Sequence, residues 1–202
     1  MKTASKHSKG FTLIELMVVI SIIGVLATMG LAAFNPIKMM VNKMKSKDNM
    51  KQLLLLLNIY QQQLGSYPTV QPNSTRYTRG GGVKDLYPLW ETQLMKKEQL
   101  KLLQPPGVAL IPFSQNPSKE EFDKLHIGYS YNSTAIPDDP NNPPIISERG
   151  VSDGRIDKTE NPVFGDGAHV LFGNSNTEFI PAVNGKLSTK DVTADQWGKL
   201  LD

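Results

Sequence analysis

The sequence predicts an α+β protein: one long N-terminal α-helix packed on a small head built around an antiparallel β-sheet. Three observations carry this. An apolar run from Phe11 to Phe34 passes into a second stretch whose apolar residues recur at helical spacing, and that stretch ends at Gly65. Ile127-Gly128-Tyr129-Ser130-Tyr131 alternates with the period of a strand. His169-Val170-Leu171-Phe172 and Thr177-Glu178-Phe179-Ile180 flank the turn Gly173-Asn174-Ser175-Asn176, the pattern of a hairpin.

The chain divides at 1–10, 11–34, 35–65 and 66–202. Residues 11–34 number 24, enough as a helix to span a hydrocarbon core of about 30 Å. Gly24, Gly30 and Asn35-Pro36 weaken that helix, and any bend belongs near Pro36. Beyond it, Met40, Met44, Met50, Leu53, Leu54, Leu57, Tyr60 and Leu64 form a stripe read as the face against the head. Leu53 to Leu57 are five consecutive leucines and cannot share one face. The excess serves either neighbouring subunits or thicker burial within the head. Gly65 and Pro68 stop the helix.

Residues 66–84 are read as loop, ending in Gly80-Gly81-Gly82. A second helix is expected from Asp85, with Leu86, Leu89, Trp90 and Leu94 and, after a break, Leu100, Leu102 and Leu103. It stops at Pro105-Pro106. Residues 133–162 are expected as loop, since Pro137, Pro140, Pro143, Pro144 and Pro162 break any ladder. Thr193-Ala194-Asp195-Gln196 is a capping box opening a short final helix with Trp197, Leu200 and Leu201.

Composition narrows function. With no cysteine among 202 residues, disulfides and thiol chemistry are excluded. The chain's formal charge is +3, all of it equalled by Lys2, Lys6 and Lys9, so the remainder balances at zero. A net charge of +4 follows the apolar run, from Lys38, Lys43, Lys45, Lys47 and Lys51 against Asp48. The 14 basic and 17 acidic side chains of 52–202 leave that part acidic. The basic collar suits acidic faces of neighbouring subunits, anionic headgroups, or simple solvation. Arg76-Tyr77-Thr78-Arg79 is too small a patch for nucleic acid, so none is expected.

Glu15 stands five residues into the apolar run, where a charge at mid-membrane would cost about 2.5–3.5 kcal/mol and less near the edge. A buried carboxylate and a buried ammonium are tolerable when paired. The string Lys9-Gly10-Phe11-Thr12-Leu13-Ile14-Glu15, followed by an uncharged span, resembles the N-terminus of the type IV pilin and type II secretion pseudopilin family. That resemblance implies a leader peptide over 1–10, cleaved after Gly10 by a prepilin peptidase, with N-methylation of Phe11. It also implies Glu15 as the assembly residue, meeting the Phe11 amine of a neighbouring copy. Partners are then the peptidase, other copies, other pilins and the lipid bilayer. The leader lies in the cytoplasm and the head on the outer side of the inner membrane, whereas charge alone leaves orientation open because both flanks are basic. Many pilins carry a proline where Ala32 stands, so no kink is implied there. Asp85-Leu86-Tyr87-Pro88-Leu89-Trp90 and Gly165-Asp166-Gly167 are similar to a pilin-like branch with a final hairpin. The role implied is a structural subunit of a pilus or a pseudopilus. An anchored extracytoplasmic binding domain, or a DNA-uptake or adhesive pilin using Arg76 and Arg79, stays open beside it.

No cofactor is expected, with calcium as the one candidate. Set on an EF-hand loop, Asp153, Gly154, Ile156 and Glu160 take the fifth, sixth, eighth and twelfth places. Arg149 and Val151 fall where carboxylates are needed. Asp153, Asp157 and Glu160 are the candidate ligands, and Asp138, Asp139 or Asp166 would complete a different site. The competing reading is an Asx turn. Catalysis is not expected. Once His7 leaves, only His126 and His169 offer imidazole, and His169 reads as a surface or edge histidine. Gly80-Gly81-Gly82 lacks the lysine and helix start of a phosphate loop, and no nucleophile elbow or HExxH occurs.

Overall fold

The computed structural model describes residues 11–69, 83–123, 125–133, 142–148, 151–152, 155–156, 166–183 and 186–187, giving the backbone alone at 29–33, 35, 151–152, 155–156 and 186. It is α+β. Helix α1 runs Leu13–Leu64, 52 residues, with Pro36 inside it. Contacts divide the chain into two compact units, Met1–Met40 and Val41–Asp202.

In the first unit every described side chain from Phe11 onward is exposed. Its polar interruptions turn back on the helix: Ser21 Oγ donates to the Met17 carbonyl and Thr28 Oγ1 to that of Val25, both at 2.8 Å. Among the described residues no helix is long and apolar enough to cross a membrane. The described side chains of the apolar run are those of 11–28 and Phe34.

In the second unit, α1 continues to Gly65, whose φ of +81° is the left-handed conformation that ends helices. Its N–H donates to the Gln61 carbonyl at 2.8 Å. The buried face of α1 is Ser46, Met50, Leu53, Leu54, Leu56, Leu57 and Tyr60. Met40, Met44 and Leu64, assigned to that face from the sequence, are instead exposed, and Leu55 is the one outward leucine of its run.

The expected second helix is mostly 3₁₀. Val83–Leu86 and Lys97–Leu103 are 3₁₀ segments, and α2 covers only Tyr87–Glu91. Pro88 in the first turn of α2 suits a helix start, and Gln93 at φ +59° breaks the chain soon after. Leu86, Leu89, Leu100, Leu102 and Leu103 are buried as expected, though on three short pieces.

Among the described residues seven antiparallel strands follow: β1 Tyr129–Tyr131, β2 Pro144–Glu148, β3 Val151–Ser152, β4 Arg155–Ile156, β5 Gly167–Phe172, β6 Thr177–Val183 and β7 Lys186–Leu187. Their spatial order is β1-β2-β5-β6-β7-β4-β3. The β5–β6 hairpin is where the sequence put it. The expectation that 133–162 holds no strand is wrong, because β2 sits between β1 and β5. Pro144 is the first residue of β2, where a missing N–H is tolerated, and Ile145-Ile146 follows. A bulge between Pro144 and Ile146 absorbs the mismatch. β1 is buried at all three residues rather than at alternate ones.

Strand parity positions the interior. Opposite partners Tyr129 and Glu148, and Tyr131 and Ile146, share a face with His169 and Leu171. That face meets α1, with Tyr129, Tyr131, Ile146, Leu171, Met50, Leu53 and Leu57 in one core. Ala168, Val170, Phe172, Ile180 and Leu187 form a smaller cluster on the other face. The final helix expected at 193–201 lies outside the described residues.

Candidate assembly site

The first turn of α1 is closed by a reciprocal cap. Thr12 precedes the helix, and its carbonyl accepts from Leu16 N–H at 3.3 Å. Thr12 Oγ1 accepts from Glu15 N–H at 3.3 Å, and Thr12 N–H donates to Glu15 Oε2 at 2.8 Å. The Thr12 hydroxyl gives its proton to the same oxygen at 2.7 Å. This is a capping box, Thr-x-x-Glu, and it satisfies two orphan donors of the helix start. The carboxylate at the helix N-terminus also complements the macrodipole. The signal for the box in the sequence is the Thr12-x-x-Glu15 spacing, the same kind as at Thr193. Phe11, Ile14, Glu15, Val18 and Val19 line an open concavity with apolar walls beside the cap. Glu15 is therefore its polar point, and Phe11 (81% exposed) its rim. Gly10 lies outside the described residues.

A second polar cluster joins the head to α1. Ser46, Glu148 and His169 are all buried, as is Tyr129. Ser46 Oγ donates to Glu148 Oε1 at 2.7 Å, and His169 Nδ1 stands 2.7 Å from the same oxygen. The His169 backbone N–H donates to Glu148 Oε2. Because the one Ser46 proton goes to Glu148, the Tyr129 hydroxyl donates to Ser46 Oγ, 3.2 Å away. Burial holds the Tyr129 phenol well above its ordinary range despite the Ser46 contact, and the Glu148 charge adds to this. The set contains a serine, a histidine and a carboxylate, but the carboxylate stands in the middle. A serine nucleophile needs the imidazole against its hydroxyl, whereas here Glu148 takes both and fastens helix to sheet. His169, expected at a surface or edge, is in the interior on a central strand.

Lys43 reinforces the same junction. Its Nζ reaches both Asp166 oxygens at 3.0 and 2.7 Å and lies 4.1 Å from the Phe179 ring centroid. Phe179 in turn packs edge-on against His169. Asp166, a possible calcium ligand by sequence, thus already faces an ammonium group. Asp153, Asp157 and Glu160, like Asp138 and Asp139, lie outside the described residues, as do Arg76 and Arg79. Among the described residues no three carboxylate or imidazole groups are placed to hold a metal ion. His126 is held by Asp123, at 2.8 Å, and stacks on Phe113. Burial would raise the Asp123 pKa, but hydrogen bonds from His126 and Leu125 N–H win and hold it low.

Residues 5–31 match the family model of the prokaryotic N-terminal methylation motif. The match covers 27 of the 202 residues, all at the N-terminus. Neither a curated protein nor a solved structure matches the chain. A motif of this kind supports a pilin-like or pseudopilin subunit. The matched range contains the whole capping box and the concavity beside it.

Proposed function

We propose that this chain is a structural subunit of a type IV pilus or type II secretion pseudopilus, without enzymatic activity. In this reading it is cut after Gly10, methylated at Phe11, anchored in the inner membrane by 11–34 and polymerised through α1. The observation that carries it is a helix end apolar on every side and exposed on every side, with one carboxylate at its mouth. A helix of that kind is stable in lipid or among other helices, and not in water. Lipid holds it before assembly, and neighbouring helices replace lipid afterwards.

Cleavage would turn the Phe11 amide into an ammonium group one residue from the cap. Glu15 Oε2 is engaged by Thr12, yet a carboxylate offers about four acceptor directions, enough to take an amine from a neighbouring copy as well. An ammonium and a carboxylate buried together in a filament stabilise each other where either alone would not.

The test is the intact mass and N-terminal residue of the full chain made with a prepilin peptidase. Loss of Met1 to Gly10 with one methyl gained at Phe11 is expected; an uncut chain, or a cut beyond the apolar run, overturns the reading. Glu15→Ala is expected to be cleaved normally and to yield no filaments in sheared-surface preparations. Ordinary filament yield from that variant would remove the pairing role.

A further inference from the structure

On the reading just given, α1 packs in a filament; its outward face beyond the apolar run has a more specific use. We infer that the stripe Val41, Met44, Lys45, Lys51 and Leu55 docks a second copy of this chain, on the acid-rimmed apolar patch around Ile111 and Leu125 of that copy's head.

The helical phase defines the stripe. At 100° per residue these five positions and Asp48 fall within about one third of the helix circumference. That arc faces away from Ser46, Met50, Leu53 and Leu57, which touch the head. Met44 and Leu55 are 59% and 61% exposed. In a run of five leucines where the other four are buried, Leu55 has no partner in its own chain's core. Unbranched, polarizable Met44 suits a surface that adapts to a partner.

The patch is built by the 111–125 segment. Ile111 N–H donates to the Leu125 carbonyl at 2.9 Å, which sets two half-exposed aliphatic side chains beside one another. The same segment carries Glu120, Glu121 and Asp123 against Lys119 and Lys124, so it is acidic by one charge. Glu121 is fastened by Ser114 N–H and Oγ at 2.9 and 2.8 Å. Hydrogen bonds from Ser118 to Glu120 and from Ser114 to Glu121 hold both carboxyls below their ordinary range, so the rim is ionised at neutral pH.

The two surfaces are opposite in net charge and alike in kind: Lys45 and Lys51 against Asp48 beside aliphatic side chains on one, Glu120, Glu121 and Asp123 against Lys119 and Lys124 beside aliphatic side chains on the other. They cannot meet within one chain, because the stripe points away from the core to which Phe122 and Ile127 of the patch segment belong. Being different surfaces, they make a heterologous contact, which propagates instead of closing into a dimer. That is the symmetry a filament requires.

The absence of cysteine allows a clean test in the full chain, produced with its own assembly machinery. Leu55→Cys and Ile111→Cys in one chain should give an oxidative ladder of dimers, trimers and higher species. The two single variants expressed together should give dimers, and neither alone should give any. Lys51→Glu should cut the ladder roughly five-fold, and adding Glu120→Lys should restore it. Filaments without a ladder overturn this contact and leave the pilin reading intact. A Leu55→Cys chain that crosslinks to itself overturns it in favour of like-to-like helix pairing. A ladder indifferent to both charge changes, with Lys45→Glu and Lys51→Glu weakening binding to anionic vesicles, overturns it in favour of a lipid role for the collar. Absence of filaments from the processed wild-type chain overturns the pilin reading and this contact together.

Discussion

Thr12 and Glu15 show how one carboxylate serves a local and a prospective need together. As the third helical residue, Glu15 completes the cap, with its Oε2 taking both the N–H and the hydroxyl of Thr12. Thr12→Val keeps the shape and removes the hydroxyl, and such a cap loss is worth roughly 1 kcal/mol. The change belongs to the first turn alone, because 52 residues of helix do not depend on one cap. Amide exchange of residues 13–16 in detergent should therefore speed about five-fold while Leu53–Tyr60 exchange is unchanged. Equal exchange throughout would mean the cap contributes nothing. Glu15 was legible in the sequence because charge in an apolar run is conspicuous. Its hydrogen-bonded state is less conspicuous, because in Thr12-Leu13-Ile14-Glu15 the capping spacing lies inside a run dominated by hydropathy.

At the level of elements, what the sequence made legible was local and what it hid was pairing. α1 and the β5–β6 hairpin are written in short-range periodicity and turn residues. β2 was hidden behind Pro143-Pro144, whose ladder-breaking effect applies within a strand and not at its first residue. The Ser46–Glu148–His169–Tyr129 cluster joins positions far apart in sequence, so no spacing rule announces it. Its energetic weight is that of a buried carboxylate with all its partners in place. Glu148→Gln keeps the size but sets an amide N–H₂ against donors, which should cost roughly 3 kcal/mol. Ser46→Ala removes one donor and should cost about 1 kcal/mol. In chemical denaturation the two changes together should be less than additive, since they break the same hydrogen bond. Strict additivity would show that Ser46 and Glu148 are not coupled.

For the molecule as a whole, Tyr131 lies where α1, the 3₁₀ segments and the sheet meet, fully buried, its hydroxyl donating to the Pro68 carbonyl at 3.2 Å. Burial first, then the negative charge of Asp85 and the neighbouring Tyr67 and Tyr60 phenols, push its pKa well above the ordinary value of 10.0. The folded chain thus holds the Tyr131 proton at pH values where the unfolded chain has lost it. The stability this contributes is complete below pH 10 and falls as pH rises from there toward the folded-state value. Each proton retained only in the fold steepens the loss by about 1.4 kcal/mol per pH unit. Tyr129 is displaced in the same direction and steepens it further. Tyr131→Phe should therefore be slightly weaker at pH 7, by about 1 kcal/mol for the lost hydrogen bond. It should lose less than the wild type on going from pH 9.5 to 11, so that the two stability curves converge or cross. Thermal melts of the full chain in detergent across that range measure it directly. Parallel curves would place the alkaline sensitivity at other groups and remove Tyr131 from the centre of the fold's titration.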